Sequence, residues 1–275
     1  MSRELEIATD LVRRAGELAL QQCGRVERLT KTHATTTREA VTVADRAVQR
    51  AVIAGLQENF PADGIIGEES ETGAGITADR LERSGRNWVI DPIDGTNNYI
   101  AGLGNWAVCA GLLVAGMPVL GVVFDPSRNV MYAGARGLGA RVNGVACQAR
   151  STGMSHASLI LLTSSLLDSQ GCLPAWVSRW FARNEWKIRM LGSAALEGAL
   201  VGAGVAHAAV TVNGKLWDCV AAAGFTLAAG GIVTSLNGSP IFPFDVSNYL
   251  GRKVPFLMAA PAAHAELVRE LTAGG

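Results

Sequence analysis

Apolar positions recur at helical spacing over residues 4–22, where Leu5, Ala8, Leu11, Val12, Ala15, Leu18 and Ala19 share one face and Arg13, Arg14 and Glu17 occupy others. This spacing predicts an amphipathic first helix. The Thr-rich stretch from Lys31 to Glu39 has no period and reads as a loop. Beyond it, Ala47, Val48, Ala51, Val52 and Leu56 predict a second helix, entered through Val41-Thr42-Val43-Ala44-Asp45 and closed by Pro61. Thr42 and Asp45 stand three apart, as in a capping arrangement, so a first-turn acid is one reading of Asp45.

Short apolar runs then replace the helical period. Gly64-Ile65-Ile66-Gly67 reads as a strand ending in the adjacent acids Glu68 and Glu69. Neighbours on an extended chain point oppositely, so at most one of the two faces a given site. Residues 71–86, with Gly73, Gly75 and Gly85, read as a surface excursion that returns at Trp88-Val89-Ile90, a buried strand stopping at Asp91. Next comes an antiparallel meander: 107–114, a turn at Met117-Pro118, 119–124, a turn at Asp125-Pro126-Ser127-Arg128, 130–135, and a short strand ending at the hairpin signal Asn143-Gly144. Near residue 148 the pattern becomes strand 158–163, helix 174–183, strand 186–190, helix 193–203 and strand 205–212. Such alternation signals an α/β layer and sets a soft boundary between a unit at 1–148 and one at 149–275. A small-residue helix from Leu216, a strand at 256–260 and a helix opened by Pro261 complete the chain. Periodicity by itself supports mixed α and β.

Composition narrows the class. Of 275 residues, 49% are hydrophobic and 17% charged, the balance of a folded chain with ample core. Lys plus Arg and Asp plus Glu stand at 24 each, which removes a global electrostatic case for nucleic acid or membrane partners. No apolar run reaches spanning length, since Glu197 and His207 interrupt the longest, and the first residues lack the pattern of a signal peptide. The five cysteines are scattered and odd in number, which argues for reduced thiols in a cytoplasm.

Candidate chemistry concentrates in Asp91-Pro92-Ile93-Asp94-Gly95-Thr96. Pro92 fixes its own φ and Gly95 opens backbone geometry closed to other residues, so both acids can project from one corner. Two carboxylates held that close repel unless a cation lies between them. A helix opened by Thr96 would face the same point with free N–H groups and favour phosphate. The plainer reading is an acidic surface turn that caps the next helix. Asp218 likewise stands at a helix start, where an acid is favourable on structural grounds.

Taken in order, Gly67-Glu68-Glu69-Ser70, then Trp88 through Thr96, then Trp217-Asp218 followed by small residues resemble the inositol monophosphatase family of magnesium-dependent, lithium-sensitive phosphatases. The resemblance spans nearly the whole chain. It implies a layered α/β (α+β) fold of five layers, αβαβα, with the site between its two halves. It also implies two or three Mg²⁺ ions. Glu68, Asp91 and the main-chain carbonyl of Ile93 would hold the first, Asp91, Asp94 and Asp218 the second, with Glu68 also facing a weaker third. Asp45 and Thr96 would activate water, Gly95 and Thr96 would offer N–H groups to phosphate, and Ser193 would contact the substrate ring. Hard oxygen ligands at about 2.1 Å suit Mg²⁺, and ions about 4 Å apart suit in-line displacement without a phosphoenzyme.

One position departs from the family pattern. Seven residues before Asp218, where inositol-type members carry a substrate-binding glutamate, this chain has Thr211. A hydroxyl cannot present a carboxylate to two alcohols. The expected activity is hydrolysis of a small polyol or sugar-type phosphate such as inositol 1-phosphate, with 3′-phosphonucleotides, fructose 1,6-bisphosphate and histidinol phosphate as substrates of the same superfamily. From another class stands a regulatory protein that binds transcription machinery. Arg189 and Lys215 read as surface charges or as contacts to a second anionic group. A homodimer is implied by the resemblance alone.

Overall fold

The computed structural model describes residues 1–23, 29–30, 40–41, 43–70, 77–79, 81, 85–167 and 170–273. The expected loop at 31–39, Thr42 of the capping pair and most of the excursion at 71–86 lie outside the described residues.

The chain opens with α1 (Ser2–Leu20), the short pair β1 (Leu29–Thr30) and β2 (Ala40–Val41), and α2 (Val43–Asn59). There follow β3 (Gly64–Gly67), β4 (Thr77–Asp79), β5 (Arg86–Asp94), α3 (Thr96–Ile100), β6 (Ala107–Val114), β7 (Met117–Asp125), β8 (Val130–Ala135), β9 (Gly139–Val142) and β10 (Val145–Cys147). The eight strands from β3 onward form one sheet in the order β10-β9-β8-β7-β6-β5-β3-β4. The remainder comprises β11 (Leu159–Leu162), α4 (Ala175–Arg183), β12 (Lys187–Arg189), α5 (Ala194–Gly202), β13 (Ala208–Thr211), α6 (Leu216–Ala228), β14 (Ile232–Thr234), β15 (Phe256–Ala259) and α7 (Pro261–Thr272). Its five strands form a second sheet in the order β12-β11-β13-β15-β14.

Burial explains the layering. Val12 and Ala15 of α1 and Val48 and Val52 of α2 bury their stripe against Trp88, Leu112 and Val122 on one face of the large sheet. The opposite face, through Cys109 and Val123, meets α5 and α6, which also touch the small sheet through Phe256 and Met258. Trp176 and Trp180 of α4 and Leu267 of α7 cover the far side of the small sheet against Ile160 and Val210. The result is the five-layer αβαβα arrangement expected for the family. Asp63 anchors its first layer, accepting from Trp88 Nε1 at 3.0 Å and Arg86 Nε at 2.9 Å, while Arg86 also reaches Glu4 of α1 at 3.2 Å.

Three local expectations need correction. The turn of the first hairpin falls at Ala115-Gly116, both at positive φ, while Met117 and Pro118 already belong to β7. A two-residue loop of that hand matches strand twist, and Pro118 is tolerated because the register slips beside it, between Leu112 and Leu113. The strand at Trp88 continues through Asp94 instead of stopping at Asp91. Thr77–Asp79, read as part of an excursion, pairs antiparallel with β3.

Candidate active site

β5 supplies two acids to one side of the large sheet. Residues three apart on a regular strand face opposite ways. Here Asp91 pairs with Cys109 and Asp94 with Ala107, so three steps on β5 oppose two on β6. The extra residue is a bulge at Pro92-Ile93, where proline has no N–H to take from the ladder. Both carboxylates therefore turn to the face of Cys109 and Ala107, toward α5 and α6, while Ile93 enters the core under α1 and α2.

Glu68 arrives from the parallel neighbour. β3 sets Gly67 beside Ile90, and the Glu68 N–H donates to the Ile90 carbonyl at 3.3 Å, which brings Glu68 level with Asp91. Its side chain is half-buried on the cavity wall. Glu69 is fixed elsewhere: its N–H donates to Gln49 Oε1 at 2.9 Å and its carbonyl accepts from Gln49 Nε2 at 2.5 Å.

Asp218 comes from the second half of the chain. α6 lies flat on the large sheet because a Cβ at Gly121 would stand 1.8 Å from the Ala221 carbonyl, and one at Gly224 would stand 2.4 Å from that of Leu120. This approach brings its first turn beside β5, and Asp91, Asp94 and Asp218 offer ligand oxygens all within 4.8 Å of one another. Asp218 also accepts the Lys215 N–H at 2.6 Å, so the helix-start role coexists with the cluster.

Asp94 is held by the N-terminus of α5. Its Oδ2 accepts from Ser193 Oγ at 2.5 Å and from the Ala195 N–H at 2.7 Å, and its Oδ1 accepts from the Ala194 N–H at 3.3 Å. Ser193 Oγ in turn accepts from the Leu196 N–H at 3.3 Å as N-cap. Burial raises the Asp94 carboxyl from 3.8 to about 6, against the lowering effect of these donors. Asp91 and Asp218 are pushed well above the ordinary carboxylate range, first by burial and then by each other's cluster neighbours, Glu68 and Asp94 among them. Asp91 Oδ1 is buried with no hydrogen-bond partner among the described residues. Buried like charges of this kind call for a cation.

Of the remaining expected residues, Gly95 and Thr96 line the larger cavity and Thr211 the smaller, whereas Asp45, Ile93 and Ser193 are buried and line neither. Gly95 N-caps α3 at φ +91°, and a Cβ there would stand 3.0 Å from the carbonyls of both Asn105 and Gly192. The Thr96 hydroxyl donates to the Ile93 carbonyl at 3.0 Å. That oxygen keeps a second lone pair. Asp45 is buried in the first turn of α2, near enough to Tyr99 of α3 for its charge to help raise that phenol, after burial. A cavity of about 460 Å³ is walled by Glu68, Thr96, Gly192, Lys215, Trp217 and Asp218. A second of about 150 Å³ shares Gly192 and Asp218 with it and adds Asp94 and Thr211. Lys215 Nζ donates to the Gly251 carbonyl at 2.5 Å, whereas Arg189 is exposed and bonds the Ile188 carbonyl at 2.7 Å. The backbone N–H donors to Asp94 and the buried Glu197 behind them were not anticipated from the sequence; only Ser193, as a cap before a small-residue helix, hinted at them.

This is a five-layer αβαβα fold with a carboxylate-lined cleft at its middle. Residues 1–273 match the model of the inositol monophosphatase family. A fructose-1,6-bisphosphatase/inositol-1-monophosphatase of Thermotoga maritima is 32% identical over 265 residues, covering 96% of this chain and 94% of the relative. A Nus factor SuhB of Pasteurella multocida is 31% identical over 240 residues, covering 86% and 87%. Among solved structures, the Thermotoga maritima IMPase superposes with a TM-score of 0.82 at 30% identity, covering 98% of this chain and 97% of that one. The chain belongs to the inositol monophosphatase family, a family of phosphoric monoester hydrolases. No helix among the described residues is long and apolar enough to cross a membrane.

Proposed function

We propose that the protein is a Mg²⁺-dependent phosphomonoesterase acting on a small polyol or sugar-type phosphate. The observation that carries this reading is the meeting of Asp218, from the second half of the chain, with Asp91 and Asp94 within 4.8 Å. The donor set fits a hard divalent cation: carboxylate oxygens, one of them buried and unpartnered, with a backbone carbonyl at Ile93 alongside. Glu68, Asp91, Ile93, Asp94 and Asp218 would hold two or three Mg²⁺ ions. When bound, these supply Lewis acidity for phosphoryl oxygens and make water acidic enough to attack.

The chain's own groups do the rest. Asp45 and Thr96 orient the attacking water, and the Asp45 carboxylate accepts its proton. Gly95 and Thr96 open α3, and the first N–H groups of a helix have no intrahelical acceptor, so they meet the phosphate oxygens. Ser193 fixes Asp94, and Thr211 borders the alcohol from the small sheet. Because the geometry is set before substrate arrives, rate acceleration comes from positioning and charge stabilisation. Fructose 1,6-bisphosphate is a second substrate of the same class, supported by the name of the Thermotoga relative. The Nus factor relative supports the regulatory alternative of binding transcription machinery. The complete carboxylate set favours the hydrolase. A cytoplasmic homodimer belongs to the same reading, and sedimentation velocity tests the dimer.

Phosphate release from inositol 1-phosphate, measured with and without Mg²⁺, tests the proposal. Turnover that needs Mg²⁺ and disappears in Asp94→Asn supports it. Full activity of Asp94→Asn overturns the metal assignment.

A further inference from the structure

The first turn of α6, which carries Asp218, is held from outside the helix. Leu216 is its first residue, and its N–H, like the others of a helix's first turn, has no acceptor within the helix. Tyr249 supplies one: its hydroxyl oxygen, on a buried side chain, accepts the Leu216 N–H at 2.8 Å. Tyr249 belongs to residues 244–254, an irregular segment between β14 and β15. The same segment binds the approach to α6 twice more, through the Val254 N–H to the Gly214 carbonyl at 2.7 Å and through the Gly251 carbonyl to Lys215 Nζ at 2.5 Å. At its other end the Phe244 N–H donates to the Gly116 carbonyl at 2.9 Å, in the hairpin between β6 and β7. Phe244, Val246, Tyr249 and Val254 pack in one buried cluster with Leu216, Trp217 and Val220 of α6, Val89 of β5 and Ile66 of β3. β5 contains Asp91 and Asp94, and β3 leads into Glu68. Residues 244–254 are thus a strap that fixes the start of α6 against the strands bearing the other acids.

We infer that Tyr249 is a positioning residue for the divalent-cation centre: its hydroxyl sets the start of α6 so that the Asp218 carboxylate meets those of Asp91 and Asp94. This role rests on the phosphatase reading and deepens it, by adding a residue on which the ion site depends. Asp218 stands two residues beyond Leu216, so a shift of the first turn passes directly to a ligand oxygen that lies within 4.8 Å of those of Asp91 and Asp94. Asp218 cannot secure that place alone, because its bond to the Lys215 N–H at 2.6 Å is local to the same turn and moves with it. Ring contacts hold the phenol still. It meets Trp217 and Phe244 edge to face, with centroids 5.9 and 5.6 Å away, and the Arg252 guanidinium lies 5.6 Å from its ring. Tyr249 lines neither cavity of the cleft, so it acts on the centre through α6 and not by touching substrate. Ion affinity is sensitive to groups of this kind, which orient the ligands without being ligands.

Tyr249→Phe keeps the ring and removes only the acceptor. Leu267→Ala, in α7 on the far side of the small sheet, is the control for lost stability alone. Ion binding is read without substrate from the electron paramagnetic resonance signal of free Mn²⁺, which takes the same octahedral oxygen ligands as Mg²⁺. Phosphate release from inositol 1-phosphate gives the half-activating Mg²⁺ concentration, kcat and KM. In Tyr249→Phe the Mn²⁺ dissociation constant and the half-activating Mg²⁺ concentration are expected to rise about 3- to 10-fold, with kcat and KM at saturating Mg²⁺ within about twofold of wild type. Leu267→Ala is expected to lower the urea midpoint at least as far as Tyr249→Phe does and to leave both ion values unchanged. Wild-type Mn²⁺ affinity in Tyr249→Phe, or an equal weakening in Leu267→Ala, overturns the positioning role; Mg²⁺-dependent turnover by the wild type then leaves the phosphatase reading standing. Mn²⁺ binding decides the role even where this ester is not turned over. A wild type that neither binds Mn²⁺ nor releases phosphate with Mg²⁺ overturns both.

Discussion

Ser193 donates its hydroxyl to Asp94 at 2.5 Å while accepting the Leu196 N–H, so one side chain starts α5 and orients an acid 99 residues earlier in the chain. The helix end and the cluster are therefore one construction. The positive end of α5, through the N–H groups of Ala194 and Ala195, offsets part of the cost of burying the Asp94 charge. Removing the hydroxyl in Ser193→Ala deletes a cap and one charged hydrogen bond together. A loss of about 1–2 kcal/mol in denaturant unfolding is expected, with a fall in kcat. Ser193→Thr, which keeps both bonds, is expected to retain most of each.

Asp218→Asn separates capping from ion binding. Its amide oxygen still accepts the Lys215 N–H, so α6 keeps its start and the fold should persist. A neutral side chain replaces a carboxylate among oxygens that lie within 4.8 Å of one another. The rise in Tm on adding Mg²⁺ should shrink, and kcat should fall by about 100-fold or more, since each 1.4 kcal/mol of lost charge stabilisation is about tenfold in rate. Wild-type kinetics in this variant would remove Asp218 from the centre.

The cluster also fixes the sign of a pH effect. Without Mg²⁺ the folded Asp94 carboxyl titrates near 6 against an ordinary 3.8, and Asp91 and Asp218 are raised further. Over the window from about 4 to 6 the unfolded chain releases protons that the folded chain still holds, so metal-free stability falls as pH rises, and the other two acids extend the fall upward. Mg²⁺ competes with those same protons. Thermal unfolding at pH 5.5 and pH 8 should show a larger Mg²⁺-induced rise in Tm at pH 8, and saturating Mg²⁺ should flatten the metal-free decline. An equal or smaller rise at pH 8 would count against these carboxylates as the binding group.

The order of acidic segments carried the family and the layering, and it named Asp91, Asp94 and Asp218, which the fold brings within 4.8 Å of one another. Asp91 and Asp94 are legible because Pro92 and Gly95 punctuate them, and Asp218 because the Trp217-Asp218 pair precedes a run of small residues. What could not be read is how acids three apart come to face one way, since the bulge depends on the register against β6. The N–H donors to Asp94 were equally hidden, because Ala194 and Ala195 have no side-chain chemistry to announce them. The bond from Leu216 to Tyr249 was hidden too, since it joins residues 33 apart through a segment with no regular period.

Glu197 shows how a fully buried acid behind the cleft can set a second pH response. On α5 its Oε1 accepts the N–H groups of Leu191 at 2.8 Å and Gly192 at 3.2 Å, which brace the segment leading to Ser193, while Oε2 has no partner among the described residues. Burial dominates and lifts its carboxyl from 4.5 to about 8, against the lowering effect of the two N–H donors. The unfolded chain ionises this group from about pH 4.5 upward while the folded chain keeps it neutral until about 8, so its contribution is complete below 4.5 and is lost as pH climbs through that window. Glu197→Gln keeps an acceptor for both N–H groups and cannot ionise. Relative to wild type, the variant's unfolding free energy should therefore improve steadily from pH 5 to pH 8, by a total on the order of 2–4 kcal/mol, whatever its offset at pH 5. Urea unfolding of both proteins across that range, without Mg²⁺, measures the difference directly; parallel pH curves would mean that Glu197 is already ionised in the folded protein and that Oε2 has a counter-charge.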